Sequence, residues 1–367
     1  MPQSLQQKRF FPLAVVSLAL LALVMTLMIA GYGKLKAVKE REKSARDPNK
    51  LQVLVAVDPC AYFVERIGAD RVQVSTLTPE GKSPETFAPT PAQLSDFASS
   101  QLFFLTGLPV EERFLANIQS IAPNAVVVDL RRGLELLPNP HRHSHEEEDA
   151  DEDAHDHDHD HDHDHDHNVA RLSETSQLPE NNAYADRYEE DLSSLDPHLW
   201  TSPQIARSMI AKILEALVQL APDAEETFRE NAAQLDQELA DLQTRTRDAL
   251  APYQGNFFLV FHPAYGYYAR EFGVEQRAIE NEGKTPSPRE LEALVRDSRE
   301  QKVAALIVQP EFNRASAQVV ADALGAKLVV HSPLQKDYFE NIDELTAAIL
   351  QSFGVERPAA LPAYSRR

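Results

Sequence analysis

Strand-type apolar runs occupy residues 51–57, 72–77, 102–106 and 125–130, and the stretches between them, around 60–69, 91–99 and 110–121, have helical character. Strands alternating with helices predict a parallel α/β sheet. The pattern breaks at 138–195, where a His/Asp/Glu low-complexity tract is followed by a polar stretch; this reads as a disordered insertion. Beyond it, an amphipathic helix begins at Pro203, runs to about Leu220 and ends near Pro222. Asp223 then opens a long helical segment reaching Leu250. Its apolar positions Phe228, Ala232, Leu235, Leu239 and Leu242 form a narrow stripe, as expected for a helix lying along something rather than inside a core.

A second block of the same kind follows. Residues 257–261, 303–308 and 327–330 read as strands, Ser287-Pro288-Arg289-Glu290 as a capping-box helix start, and Tyr338 to Phe353 as a last helix. The expected organisation is an N-terminal signal or anchor with linker (1–50), an α/β lobe (51–221), a bridging helix (222–251), a second α/β lobe (252–353) and a tail (354–367). Strand order within each lobe is not given by the sequence.

At 367 residues the chain has room for about two domains. Before them, Lys8 and Arg9 precede an uncharged apolar stretch from Phe10 to Ala30, long enough to span a bilayer. Met28 spoils the small-x-small pattern before Ala30, and no cysteine follows to carry a lipid, so an uncleaved anchor on an exported protein is expected, with a cleaved signal as the alternative. Lys34, Lys36, Lys39, Arg41, Lys43 and Arg46 place more positive charge after the span than before it, which opposes export of that side.

The net charge is −21, of which residues 141–167 carry −12, with thirteen acids against one arginine. That balance argues against nucleic acid or an anionic membrane surface as the main partner. Cys60 is the one cysteine, so neither an intrachain disulfide nor a thiolate metal cluster can form; a buried thiol is expected.

Ten of the thirteen histidines fall in the tract, at 141, 143, 145, 155, 157, 159, 161, 163, 165 and 167. His198, His262 and His331 remain, each at a strand end or in a Pro-flanked loop. Ligands of open α/β sheets bind just beyond the carboxyl ends of the strands. Three imidazoles and one carboxylate would complete a tetrahedral zinc shell. Taken singly, each is more often a hydrogen-bonded loop or core histidine; jointly they point to one site. The alternating stretch of His155, His157, His159, His161, His163, His165 and His167 with aspartates is either a solvated charge run or a weak, multivalent metal collector.

The ordered motifs Gly81-Lys82-Ser83-Pro84-Glu85-Thr86-Phe87-Ala88-Pro89-Thr90-Pro91, Asp196-Pro197-His198-Leu199-Trp200, His262-Pro263-Ala264-Tyr265-Gly266-Tyr267, Ile279-Glu280-Asn281-Glu282-Gly283-Lys284 and Val308-Gln309-Pro310-Glu311-Phe312 carry a resemblance. With Pro333-Leu334 and Asp337-Tyr338 they cover nearly all of 51–353. The chain resembles the metal-specific (zinc/manganese) substrate-binding proteins of ABC importers, in particular the zinc branch with its His-rich insertion. The resemblance implies two Rossmann-like α/β lobes with parallel sheets, bridged by a long rigid helix, with the metal between the lobes. It implies a monomeric periplasmic receptor rather than an enzyme, carrying Zn(II) as transported ligand to a cognate ABC permease in the cytoplasmic membrane. Carried over residue by residue, the ligands are His198 and His262, with two departures: Glu85 stands where the family has histidine in Pro-His-x-Phe/Tyr, and His331 stands at a late strand end where aspartate is common. Asp196 is the candidate to orient His198.

Two readings of other classes compete: a zinc hydrolase using Glu85 as base at an open site, and a metal buffer in which the tract does the binding. Neither a His-Glu-x-x-His helix, a Gly-x-Ser-x-Gly elbow nor a phosphate-cradling glycine loop is present in the sequence. Manganese, which favours oxygen donors, is the main alternative cargo, and copper and nickel bind such sites at least as well as zinc.

Overall fold

The strands that the apolar runs predict assemble into two parallel sheets of identical connectivity. The computed structural model describes residues 47–139, 195–280, 287–312 and 314–355. The apolar N-terminal span, the tract with His155 to His167, part of the Ile279–Lys284 motif and the tail beyond 355 lie outside the described residues. In the first lobe, β1 (Leu51–Val55), α1 (Asp58–Gly68), β2 (Val72–Thr76), α2 (Pro91–Asp96), β3 (Leu102–Leu105), α3 (Pro109–Ile121) and β4 (Val126–Asp129) give the strand order β2-β1-β3-β4, every pair parallel. In the second, β5 (Phe257–Val260), α6 (Gly266–Phe272), β6 (Glu275–Ala278), α7 (Pro288–Glu300), β7 (Ala305–Val308), α8 (Arg314–Leu324) and β8 (Lys327–Val330) give β6-β5-β7-β8, again parallel.

The order explains which strands are legible in sequence. β3 (Leu-Phe-Phe-Leu), β5 (Phe-Phe-Leu-Val) and β7 (Ala-Leu-Ile-Val) are inner strands, buried along their whole length because helices cover both faces. β6, Glu-Gln-Arg-Ala, is an edge strand with a polar sequence, and hydrophobic patterning does not find it. Helix α8 and the short α6 also fall outside the predicted elements.

Helix α4 (Pro203–Leu220) starts where the sequence predicts: the Ser202 side chain accepts from the Ile205 amide, and Pro203 occupies the first turn. Next comes α5 (Glu225–Leu250), whose predicted stripe of Phe228, Ala232, Leu235, Leu239 and Leu242 is entirely buried. It packs on α1 and α4 and also on α9 (Tyr338–Ser352). Ion pairs repeat the same links, Arg66 to Glu238 at 2.6 Å and Arg245 to Asp343 at 2.9 Å. The long helix is thus a strut shared by both lobes. Phe63 of α1 meets Tyr338 of α9 edge-on at 4.7 Å, so one apolar core runs through the molecule, and a second, smaller one lies under α8. Truncating the middle of the strut, Leu239→Ala, is expected to cost about 2–5 kcal/mol. Urea unfolding of the metal-free protein measures it, and a loss below about 1 kcal/mol would contradict this packing.

The long interruption before His198 is closed at its base. Pro138 and Leu195 form an antiparallel bridge, and the Asp196 amide donates to the Leu137 carbonyl at 2.9 Å. Among the described residues no helix is long and apolar enough to cross a membrane.

Candidate metal centre

His262 lies two residues beyond β5, an inner strand of the second sheet. The chain leaves β5 toward β6 on one side and returns through β7 on the other, which makes the β5/β7 boundary the place where open α/β sheets leave a crevice. Gln309, just past β7, straddles that boundary: its side-chain oxygen accepts from the His262 amide at 3.3 Å, and its amide nitrogen donates to the His262 carbonyl at 2.8 Å. The Phe312 ring stacks on the imidazole at 4.8 Å.

His198 sits at the mouth of the segment leading into α4. The Asp196 carboxylate accepts from the His198 amide at 2.9 Å and from its Nδ1 at 2.8 Å. This fixes the tautomer and leaves the Nε2 lone pair free to point at a cation. Asp196 is itself held, because the Tyr267 hydroxyl donates to its carbonyl at 2.7 Å. Gly266 lets the start of α6 come this close: a Cβ there would lie 3.0 Å from Asp196 Oδ2 and 3.2 Å from Leu137. Trp200 Nε1 donates to the Pro333 carbonyl of the second lobe at 2.8 Å.

Glu85 reaches these imidazoles from the loop after β2. Its Oε1 is 2.8 Å from His262 Nε2 and 3.8 Å from His198 Nε2, and the two imidazole centroids are 5.5 Å apart. One donor atom from each residue lies within 4.8 Å of the others, and among the described residues no other trio of His, Cys, Asp or Glu gathers so closely. Both histidines are buried and Glu85 is part-exposed. Zinc bonds of about 2.0–2.1 Å in a tetrahedron need donor separations of roughly 3.4 Å. The separations from Glu85, 2.8 and 3.8 Å, bracket that value.

Glu280 lies on the far side of His262, its Oε2 buried 3.6 Å from Nδ1. Burial alone would discharge the imidazole, but the carboxylates of Glu280 and Glu85 outweigh it and hold His262 up to about 9.

His331 does not join the cluster. Its Nε2 faces the Asn341 carbonyl at 3.1 Å, which can only accept, and its Nδ1 faces the Tyr265 hydroxyl at 2.9 Å. Nε2 therefore carries the hydrogen and Nδ1 accepts a hydrogen bond from the tyrosine hydroxyl, so no lone pair is left for a metal. Burial pushes this histidine down to about 4, the opposite direction from His262. The strand-end rule located His331 correctly but did not give the direction of its ring. Where four donors were expected, the structure gathers two imidazoles and one carboxylate. Gln309, Glu280 and Tyr267 also support the site, and all three lie in the quoted motifs.

Two parallel-sheet lobes sharing a helical strut, with a carboxylate and two oriented imidazoles gathered between them, define a two-lobed ligand-binding receptor. The profile of the family described as zinc-uptake complex component A, periplasmic (ZnuA), matches residues 53–352. The chain belongs to that family, whose members are substrate-binding receptors that work with ABC permeases. Among its relatives, the high-affinity zinc uptake system protein ZnuA of Bacillus subtilis is 24% identical over 78% of this chain and 79% of its own, and that of Yersinia pestis is 25% identical over 79% and 86%. A crystal structure of a zinc-bound ZnuA deletion mutant superposes with a TM-score of 0.66 at 26% identity, over 83% of this chain and 98% of that one.

Proposed function

We propose that this chain captures zinc outside the cytoplasm and delivers it to an ABC-type permease in the cytoplasmic membrane. Glu85, His198 and His262 serve as the ligands. The convergence of Glu85 Oε1 with the two Nε2 atoms between the lobes carries the reading. Paired imidazoles favour zinc over manganese, and the relatives named for zinc uptake agree. The mixed N/O set keeps manganese as the competing cargo. The apolar span at 10–30 is assigned as an uncleaved tether, and the tract histidines His155 to His167 as low-affinity collectors whose ions pass to the tight site.

Metal analysis of the protein lacking 141–167, purified from mixed divalent metals, tests this. One zinc per chain is expected. One manganese per chain would replace the cargo, and loss of all tightly held metal would make the tract the principal binder.

A further inference from the structure

The Glu85 loop has short-range turns of its own: the Phe87 amide donates to the Ser83 carbonyl at 2.9 Å, and the Glu85 amide to Ser83 Oγ at 3.3 Å. From the rest of the lobe, Arg113 on α3 reaches it, and Phe87 packs against the main core. One guanidinium nitrogen, Nη2, faces three loop carbonyls, those of Phe87 at 2.7 Å, Glu85 at 2.9 Å and Pro84 at 3.4 Å. Three backbone oxygens converging on one cationic nitrogen fix the curvature of the chain at the residue whose carboxylate must extend to His262.

The helix that carries Arg113, an exposed residue, is anchored at its start. Two residues earlier, the buried Glu111 carboxylate accepts from the amides of Thr106 at 2.9 Å, Gly107 at 2.6 Å and Leu108 at 3.0 Å, and from the Thr106 hydroxyl at 3.0 Å. These bonds set the first turn of α3 against the end of β3. The rigid sheet is thereby connected through Glu111 and α3 to Arg113, and from Arg113 to the loop. A side chain in a loop is a poor place for a ligand unless other groups fix its backbone.

We propose that Arg113 is the positioning residue for Glu85, acting on the metal only through that carboxylate. The inference rests on Glu85 being a ligand, and the experiment separates the two. Zinc affinity of the full chain is measured by competition with a chelator strong enough to strip the tract, for wild type, Arg113→Met, Glu85→Ala and the double variant. Arg113→Met keeps the aliphatic stem and removes the guanidinium. It is expected to weaken binding about 10-fold, the scale for loss of an outer partner of a metal ligand, to speed zinc dissociation, and to leave the melting of the metal-free protein unchanged. In the Glu85→Ala background the same change is expected to cost nothing further. Unchanged affinity for Arg113→Met beside a weakened Glu85→Ala overturns the inference and spares the ligand assignment. An equal loss in both backgrounds also overturns it, since Arg113 would then act elsewhere. Unchanged affinity in Glu85→Ala removes the assignment, and the inference with it.

Discussion

His262→Ala is expected to weaken tight zinc binding by more than about 100-fold, beyond what losing an outer partner of a ligand costs, while alanine at any single tract histidine is expected to leave the tight site as it was. The asymmetry follows from where the groups sit. His262 supplies the donor that Glu85 approaches at 2.8 Å, and it is the second lobe's contribution to the cluster. Without it, Glu85 and His198 remain on the first-lobe side, and two donors do not hold a zinc ion between lobes. In the proposed role as a weak collector the tract would offer many equivalent positions, so losing one would change the average occupancy by a small fraction. Chelator competition on the two variants makes the comparison. Comparable losses from both would show that the imidazole between the lobes has no special role.

The sequence reveals the molecule to the extent that burial imposes patterns on it. Inner strands and the strut carry continuous or 3.6-spaced apolar positions because both faces, or one stripe, must be covered. The edge strand Glu275–Ala278 carries none, because few of its side chains enter a core. The site follows a similar division. Asp196 and His198 were readable together because the carboxylate and imidazole are two residues apart and their partnership is local. The supports from Gln309 and Arg113 were not, since they bind backbone carbonyls or amides 26 to 47 residues away, and a backbone oxygen has no residue type to recognise. Glu85 was legible only through the family motif that it alters. His262 and His331 look alike in sequence, each closing an apolar strand and preceding a proline-containing turn. Their surroundings separate them: two carboxylates flank one, and a tyrosine hydroxyl and a peptide carbonyl enclose the other.

That difference makes the metal-free protein acid-sensitive through His331. Its value in the fold is about 4, against 6.5 for a free histidine, with burial as the cause. Between those values the unfolded chain takes up a proton that the folded chain refuses, so stability rises with pH across this window. The contribution is complete above 6.5 and disappears as the pH falls toward 4. It amounts to roughly 3 kcal/mol at 1.36 kcal/mol per tenfold change in proton affinity. Urea midpoints at pH 7, 5.5 and 4.5 follow it. In His331→Gln the amide still offers a donor to the Asn341 carbonyl but does not titrate, so the variant starts less stable at pH 7 and loses less on acidification. Its zinc affinity at pH 7.5 is expected to stay within a few-fold of wild type, because both ring nitrogens are engaged by Asn341 and Tyr265. A loss of zinc affinity on the scale of His262→Ala would instead place His331 in the shell and require the ring to leave both Tyr265 and Asn341 when metal binds.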